Sequence, residues 1–249
     1  MVKANNEMKP ILYTNGDSVV WGAELERKQT ERFSNLLATK RGWVECNNAS
    51  AGVSNDYIYR QTMRDVSHWL EHKKVWSEET GWVESDELIV IIGWTSPTRF
   101  EWWTGTEYQQ ERLWIGYDMW DDTDKDRVTE LGFVINQTED IPSYIRTFNQ
   151  IIGLSSFLEK CGIKYYFFNT FYEYKSIEEP TNLIDKYGKP NYQIGTHELW
   201  KQLPDEFTFG TMYDYIRFMG EGFLPRNHPT PEGHYLWSEF LDKEFDIYG

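Results

Sequence analysis

The sequence predicts an α/β fold, a three-layer α/β/α sandwich around a central parallel sheet of about five strands, and three observations carry that prediction. Residues 10–15 (PILYTN), 87–93 (ELIVIIG) and 163–168 (IKYYFF) are short apolar runs without polar alternation. Strands covered on both faces have this pattern. Between the runs lie segments whose apolar residues recur at helical spacing, and strands alternating with helices imply parallel pairing, because each parallel connection must cross over.

The elements follow in order. The first run ends in Gly16-Asp17-Ser18, which reads as a buried strand stopping at a tight turn. A second strand is expected over 43–47. Ser54 or Asn55 can then cap a helix in which Ile58, Thr62, Val66 and Trp69 or Leu70 share one face, running to about His72. The clearest strand, 87–93, ends in Gly93. From 96 to about 140 the chain is irregular, acidic and aromatic, with Trp102, Trp103, Trp114 and Trp120 near Asp118, Asp121 and Asp122, and it reads as an insertion. Pro142 suits a helix start, Ile145, Phe148, Ile152 and Ser155 trace one face, and Gly162 ends that helix. The third strand run follows. Residues 172–205 read as loop with short helices. After 212–219 and a Gly/Pro loop, a helix begins at Pro231 with Leu236, Trp237, Phe240 and Leu241 as its stripe.

Length, charge and composition narrow the function. The 249 residues carry 25 Lys plus Arg against 40 Asp plus Glu, a net charge of −15. Affinity for phosphate backbones grows with cationic contacts, so no nucleic-acid partner is expected. No run approaches the roughly 18 apolar residues of a membrane span, so no membrane partner is expected either. Residues 1–9 lack the apolar core of about 7 to 15 residues that marks a secretory signal, which implies a cytoplasmic protein. Cys46 and Cys161 are too few for a disulfide framework or a Cys-rich zinc site and are expected to be buried thiols. With no visible linker, residues 1–249 are expected to form one domain with the insertion at about 97–140. Aromatic residues make up 17% of the chain, enough that some should line a surface or cleft.

Ligands of open parallel sheets bind beyond the carboxyl ends of the strands. Three polar clusters fall there: Gly16-Asp17-Ser18, residues 48–55 (NASAGVSN) and residues 93–99 (GWTSPTR). The second leads into a helix N-terminus, whose N–H groups can receive an oxyanion. Asn227-His228-Pro229 stands just ahead of the last helix, from where an imidazole can reach Ser18.

The order and spacing of these four blocks resemble the SGNH (GDSL-like) hydrolase superfamily. The resemblance spans about residues 10 to 241 apart from the insertion, and it implies a flavodoxin-like strand order. It implies that Ser18 is the nucleophile, that the N–H groups of Ser18 and Gly52 form the oxyanion hole, and that His228 is the general base. Two positions depart from the pattern. The family's third block is Gly-x-Asn, whereas this chain has Gly93-Trp94-Thr95, so Thr95 with its shorter hydroxyl would be the donor. The family's aspartate three residues before the histidine is replaced by Pro225. Losing a triad acid costs about 10⁴ in turnover and losing an oxyanion donor about 10² to 10³. Arg99 is a candidate for contacting the oxyanion or a substrate carboxylate. Glu221, Asp214 or Glu232 could orient His228, Glu221 being first by proximity. The segment 93–99 is also similar to divergent SGNH-like proteins of bacteriophages, which would make the location virion-associated.

The function implied is ester hydrolysis by a Ser-His dyad or atypical triad, which needs no cofactor. The substrate is expected to be a small-molecule or carbohydrate ester, since Trp and Tyr faces suit sugar rings. The alternative is a non-catalytic binding or structural protein on the same scaffold, which predicts no contact between Ser18 and His228. Oligomeric state is not readable. His234 competes with His228 but lies one turn inside the terminal helix. His68-Trp69-Leu70-Glu71-His72 matches the H-x-x-E-H pattern of inverted zinc peptidases. It sits at the polar end of a helix with no third ligand marked, so no metal site is expected. The acidic run 118–126 lacks the Gly and terminal Glu of an EF-hand loop and reads as a solvated loop.

Overall fold

The computed structural model describes residues 8–97, 99–103, 108–112, 141–171, 202–203 and 211–247. In chain order these form β1 (Ile11–Gly16), α1 (Ser18–Trp21), α2 (Lys28–Glu31), α3 (Phe33–Arg41), β2 (Val44–Asn47) and α4 (Asn55–His72). An antiparallel hairpin of β3 (Lys74–Ser77) and β4 (Gly81–Glu84) follows, then β5 (Leu88–Trp94) and a second hairpin of β6 (Arg99–Trp103) and β7 (Tyr108–Arg112). The remainder is α5 (Ile141–Lys160), β8 (Lys164–Asn169), α6 (Met212–Phe218) and α7 (Pro231–Ile247).

Strands β2, β1, β5 and β8 form a parallel sheet in that order. The continuous apolar runs make this possible, because each strand buries both faces. Ile11, Tyr13, Val90, Ile92 and Phe167 point toward α4 and α5, where Ile58, Val66, Phe148, Ile151 and Leu154 meet them. Leu12, Ile89, Ile91, Tyr166 and Phe168 point the other way, against Val19, Val20, Phe33, Leu37, Ile216 and Trp237. The result is the three-layer sandwich, with four sheet strands among the described residues where about five were expected. A parallel bridge from Asn169 to Thr211 extends the sheet one residue pair beyond β8, on the side where a fifth strand would lie.

The strand order reverses between β1 and β5: the chain steps from β1 to one side, then returns to the other. Such a switch point opens a crevice at the carboxyl ends of the two strands. Here those ends are Gly16 and Gly93, register partners across the pair. Val20 of α1 packs onto both glycines, so α1 rests directly on the sheet.

Several elements differ from the sequence reading. The segment 18–41 carries three helices that the apolar runs do not announce. The β3–β4 hairpin, closed at Gly81 with φ 71°, had also gone unread. The stretch read as irregular begins with the β6–β7 hairpin, while the Trp and Asp residues from Trp114 to Asp126 lie outside the described residues, as does nearly all of 172–205. Cys46 is buried as expected, but Cys161 is partly exposed at the end of α5. No described helix is long and apolar enough to cross a membrane.

Gly93 leaves no room for a side chain. A Cβ there would stand 2.5 Å from Val20 Cγ2 and 2.9 Å from Phe168 Cζ. Gly93→Ala should therefore lower stability by about 1–3 kcal/mol through overpacking. Urea unfolding checks this: a midpoint equal to wild type would show that α1 is not seated on the glycines.

Candidate active site

Ser18 owes its place to Asp17. The Asp17 Oδ1 accepts the N–H of Val19 at 3.0 Å and caps α1, which Gly22, with φ 80°, closes after one turn. Asp17 is fully buried, and its Oδ2 accepts the hydroxyl of Thr95 at 2.8 Å, with Arg99 Nη1 at 3.5 Å and Thr170 Oγ1, which is nearer the Trp94 carbonyl at 3.0 Å, at 3.3 Å. These partners come from the ends of β5 and β8, so the carboxylate fixes α1 against the sheet edge. Ser18 emerges as the first residue of α1.

His228 reaches Ser18 from a short loop between α6 and α7. The N–H of Leu224 donates to the His228 carbonyl at 2.7 Å, and that of Asn227 to the Leu224 carbonyl at 2.8 Å. Asn227 takes the left-handed conformation, φ 63°, and its carbonyl accepts the Tyr213 hydroxyl. Held in this way, His228 Nε2 lies 3.0 Å from Ser18 Oγ. Its Nδ1 lies 2.7 Å from Glu24 Oε2. The Glu24 carboxylate also accepts the N–H of Arg226 at 3.1 Å. Desolvation works to raise the Glu24 pKa, but the hydrogen bonds from His228 and Arg226 outweigh it and hold the carboxyl below its ordinary value. Glu24 is thus an anion that accepts a hydrogen bond from Nδ1–H, which leaves the Nε2 lone pair facing the serine hydroxyl.

Ser18, Gly52, Arg99 and His228 line one cleft of about 820 Å³. Gly52 adopts φ 79°, which suits glycine. Arg99 lies over the Phe171 ring, 5.2 Å from its centroid.

Two expected residues are not where the sequence reading put them. Thr95 is fully buried, its hydroxyl donates to Asp17, and its N–H donates to Asn55 Oδ1 at 2.9 Å. A hydroxyl has one proton to give, so Thr95 supports Asp17 rather than an oxyanion. Glu221 is not the partner of His228 Nδ1, because Glu24 occupies that position; nor is a backbone carbonyl of 222–226. Asp214 is engaged at Thr211, closing the capping box of α6 with a 2.7 Å bond. Glu24 is not legible from the histidine's own sequence neighbourhood, because it contacts His228 from 204 positions away. The available signal was its closeness to Ser18: with α1 ended by Gly22 after a single turn, a carboxylate six residues on is still beside the serine.

Among the described residues no three His, Cys, Asp or Glu side chains are grouped to hold a metal. His68 Nδ1 is 3.0 Å from the Lys74 carbonyl, and its ring stacks on Trp82. His234 is fully buried, stacks on Phe33 and accepts that residue's N–H at Nδ1.

A family model described as a family of unknown function (DUF6071) matches residues 16–245. The chain belongs to this family. No curated protein matches it. Among solved structures, this DUF6071 chain is similar to an Axe2 mutant, an acetyl-xylooligosaccharide esterase from Geobacillus Stearmophilus, at 13% identity and TM-score 0.46, covering 96% of this chain and 94% of that one. It is similar to the psychrotrophic esterase EstA from Pseudoalteromonas sp. at 10% identity and TM-score 0.45, covering 97% and 100%. It is also similar to a member of the lipolytic protein G-D-S-L family from Veillonella parvula, at 12% identity and TM-score 0.41, covering 92% and 94%.

Burial, aided by the charges of His228 and Arg32, pushes the His234 pKa from 6.5 down to about 3. Between those values the unfolded chain binds a proton that the folded chain refuses, so stability falls as pH drops from about 6.5 toward 3, by on the order of 1.4 kcal/mol per unit. His234→Asn keeps an acceptor for Phe33 and should flatten the loss. Urea midpoints at pH 7 and 5 for both proteins test this, and equal slopes would remove His234 from the pH dependence.

Proposed function

We propose that the chain is a serine ester hydrolase in which Ser18, His228 and Glu24 form a catalytic triad. The observation that carries the reading is the chain of contacts Ser18 Oγ, His228 Nε2, His228 Nδ1, Glu24, with 3.0 Å and 2.7 Å at its two links, at the wall of an open cleft. Hydrogen-bonded nucleophile, base and orienting acid are what acyl transfer requires. A non-catalytic scaffold does not call for this alignment.

In the proposed reaction Ser18 Oγ attacks the acyl carbonyl while its proton passes to His228 Nε2. The N–H groups of Ser18 and Gly52 receive the oxyanion, and Arg99 adds positive charge nearby. The alcohol leaves with the proton from His228, giving an acyl-Ser18. Water then attacks the acyl carbon, His228 takes one proton from it, and the free acid departs as Ser18 regains its hydrogen. Glu24 fixes the imidazole tautomer and stabilises the imidazolium. Trp21, Phe171 and Tyr213 give the cleft aromatic walls of the kind that suit a carbohydrate ester.

Purified protein should hydrolyse 4-nitrophenyl acetate, and Ser18→Ala should abolish turnover. Glu24→Gln should lower kcat by about 10² to 10⁴ with little change in KM, because it spoils the tautomer without touching the substrate. Glu221→Gln should behave as wild type. Absence of turnover from pH 6 to 9, roughly the range in which a histidine base is neutral, or a Ser18→Ala variant as active as wild type, would overturn the proposal.

A further inference from the structure

Among its described lining residues the cleft beside Ser18 carries more arginine than carboxylate, the reverse of the chain as a whole. Over the full sequence carboxylates outnumber Lys plus Arg by 40 to 25. Among the described residues that line the cleft there are three arginines, Arg99, Arg217 and Arg226, and two carboxylates, Glu24 and Asp214. Both carboxylates are engaged: Glu24 with His228 and the Arg226 N–H, Asp214 with the hydroxyl and N–H of Thr211.

The arginines are held differently. Arg217 lies over the rings of Phe223 and Tyr213, at 5.2 and 6.0 Å from their centroids, while Arg99, over Phe171, also faces Asp17 Oδ2 at 3.5 Å. Aromatic faces position a guanidinium without neutralising it. Among the described residues no carboxylate forms an ion pair with the side chain of Arg217 or Arg226. The cations are also all arginine, whose planar fork matches a carboxylate in a bidentate geometry that lysine cannot offer.

We propose that this cleft selects an anionic ester, one whose acyl or alcohol part carries a carboxylate that Arg217 and Arg226 bind, with Arg99 closer to the reacting carbonyl. The proposal rests on the hydrolase reading for the reaction but not for the binding. It assigns specificity to two residues outside the catalytic triad, on the last turn of α6 and in the loop before His228.

The test uses matched pairs of substrates. Mono-4-nitrophenyl succinate against 4-nitrophenyl butyrate places the charge on the acyl side, and 4-acetoxybenzoate against its methyl ester places it on the alcohol side. At least one anionic member should show kcat/KM about tenfold or more above its neutral partner, which corresponds to one charge-assisted contact. Arg217→Gln and Arg226→Gln should each shrink that ratio about threefold or more, and the double variant should bring it near one. Lys164→Gln, an exposed cation at the opposite edge of the sheet, should leave the ratio alone. Calorimetric binding of the same pairs to Ser18→Ala gives a readout independent of turnover. Tighter binding of the anion by Ser18→Ala with no turnover by wild type would sink the hydrolase reading and keep the anion site. Turnover and binding without preference in either pair, or a preference that survives the double arginine variant, would overturn the anion site and leave the hydrolase reading standing.

Discussion

A carboxylate with no exposure to water, Asp17, ties the end of β1 to the ends of β5 and β8 and to the helix that carries Ser18. Burying an anion costs several kcal/mol unless its oxygens are satisfied, so the site exists only because its surroundings supply donors. They come from separated parts of the sequence: the N–H of Val19, the hydroxyl of Thr95 and the guanidinium of Arg99, with the Thr170 hydroxyl close by. Each of these partners is in turn fixed by Asp17. The two glycines complete the arrangement from below by letting α1 approach the strands until Val20 touches both. Position of the serine is thus a property of the sheet edge rather than of a flexible loop.

Seen this way, the departures in the third and fourth blocks are related to the geometry around them. Thr95 stands where the pattern that the sequence resembles has asparagine, and its hydroxyl turns inward to Asp17. Arg99, four residues on, brings the cation to the cleft that Thr95 does not face. Pro225 stands where that pattern has aspartate, and the carboxylate that meets His228 is Glu24, far earlier in the chain. Glu24 holds a left-handed backbone, φ 68°, in the turn after α1. Its second acceptor role, toward the Arg226 N–H, also fastens the histidine loop.

What the sequence reveals follows the range of the interactions involved. β1, β5 and β8 were readable because a strand covered on both faces needs an uninterrupted apolar run, and α4, α5 and α7 because their stripes are long. Helices α1, α2 and α3 are four, four and nine residues long, too short for a period to stand out. α3 nonetheless buries Phe33, Leu37 and Ala38 and ends at Gly42 with φ 71°, a C-cap signal that the sequence carries. The β3–β4 hairpin pairs exposed Trp76 with exposed Trp82 on its outer face, and its inner row is the single pair Val75 and Val83, too short for an alternation to stand out. At the site, the residues in motifs could be named, whereas the direction of the Thr95 hydroxyl and the arrival of Glu24 depend on contacts across 78 and 204 positions, which no local pattern encodes.

The C-terminal part of the chain closes over its beginning. α7 packs on α3, where Lys40 meets Glu239 at 2.6 Å and Asp242 at 2.9 Å, Arg41 pairs with Asp242, and the N–H of Phe33 donates to His234. His228, just ahead of α7, meets Ser18 across 210 positions. Ser18 and Glu24 are brought together by the turn after α1, whereas the imidazole that stands between them belongs to the segment just ahead of α7. The imidazole joins them only when α7 is docked on α3, so without that docking Ser18 and Glu24 have no imidazole between them.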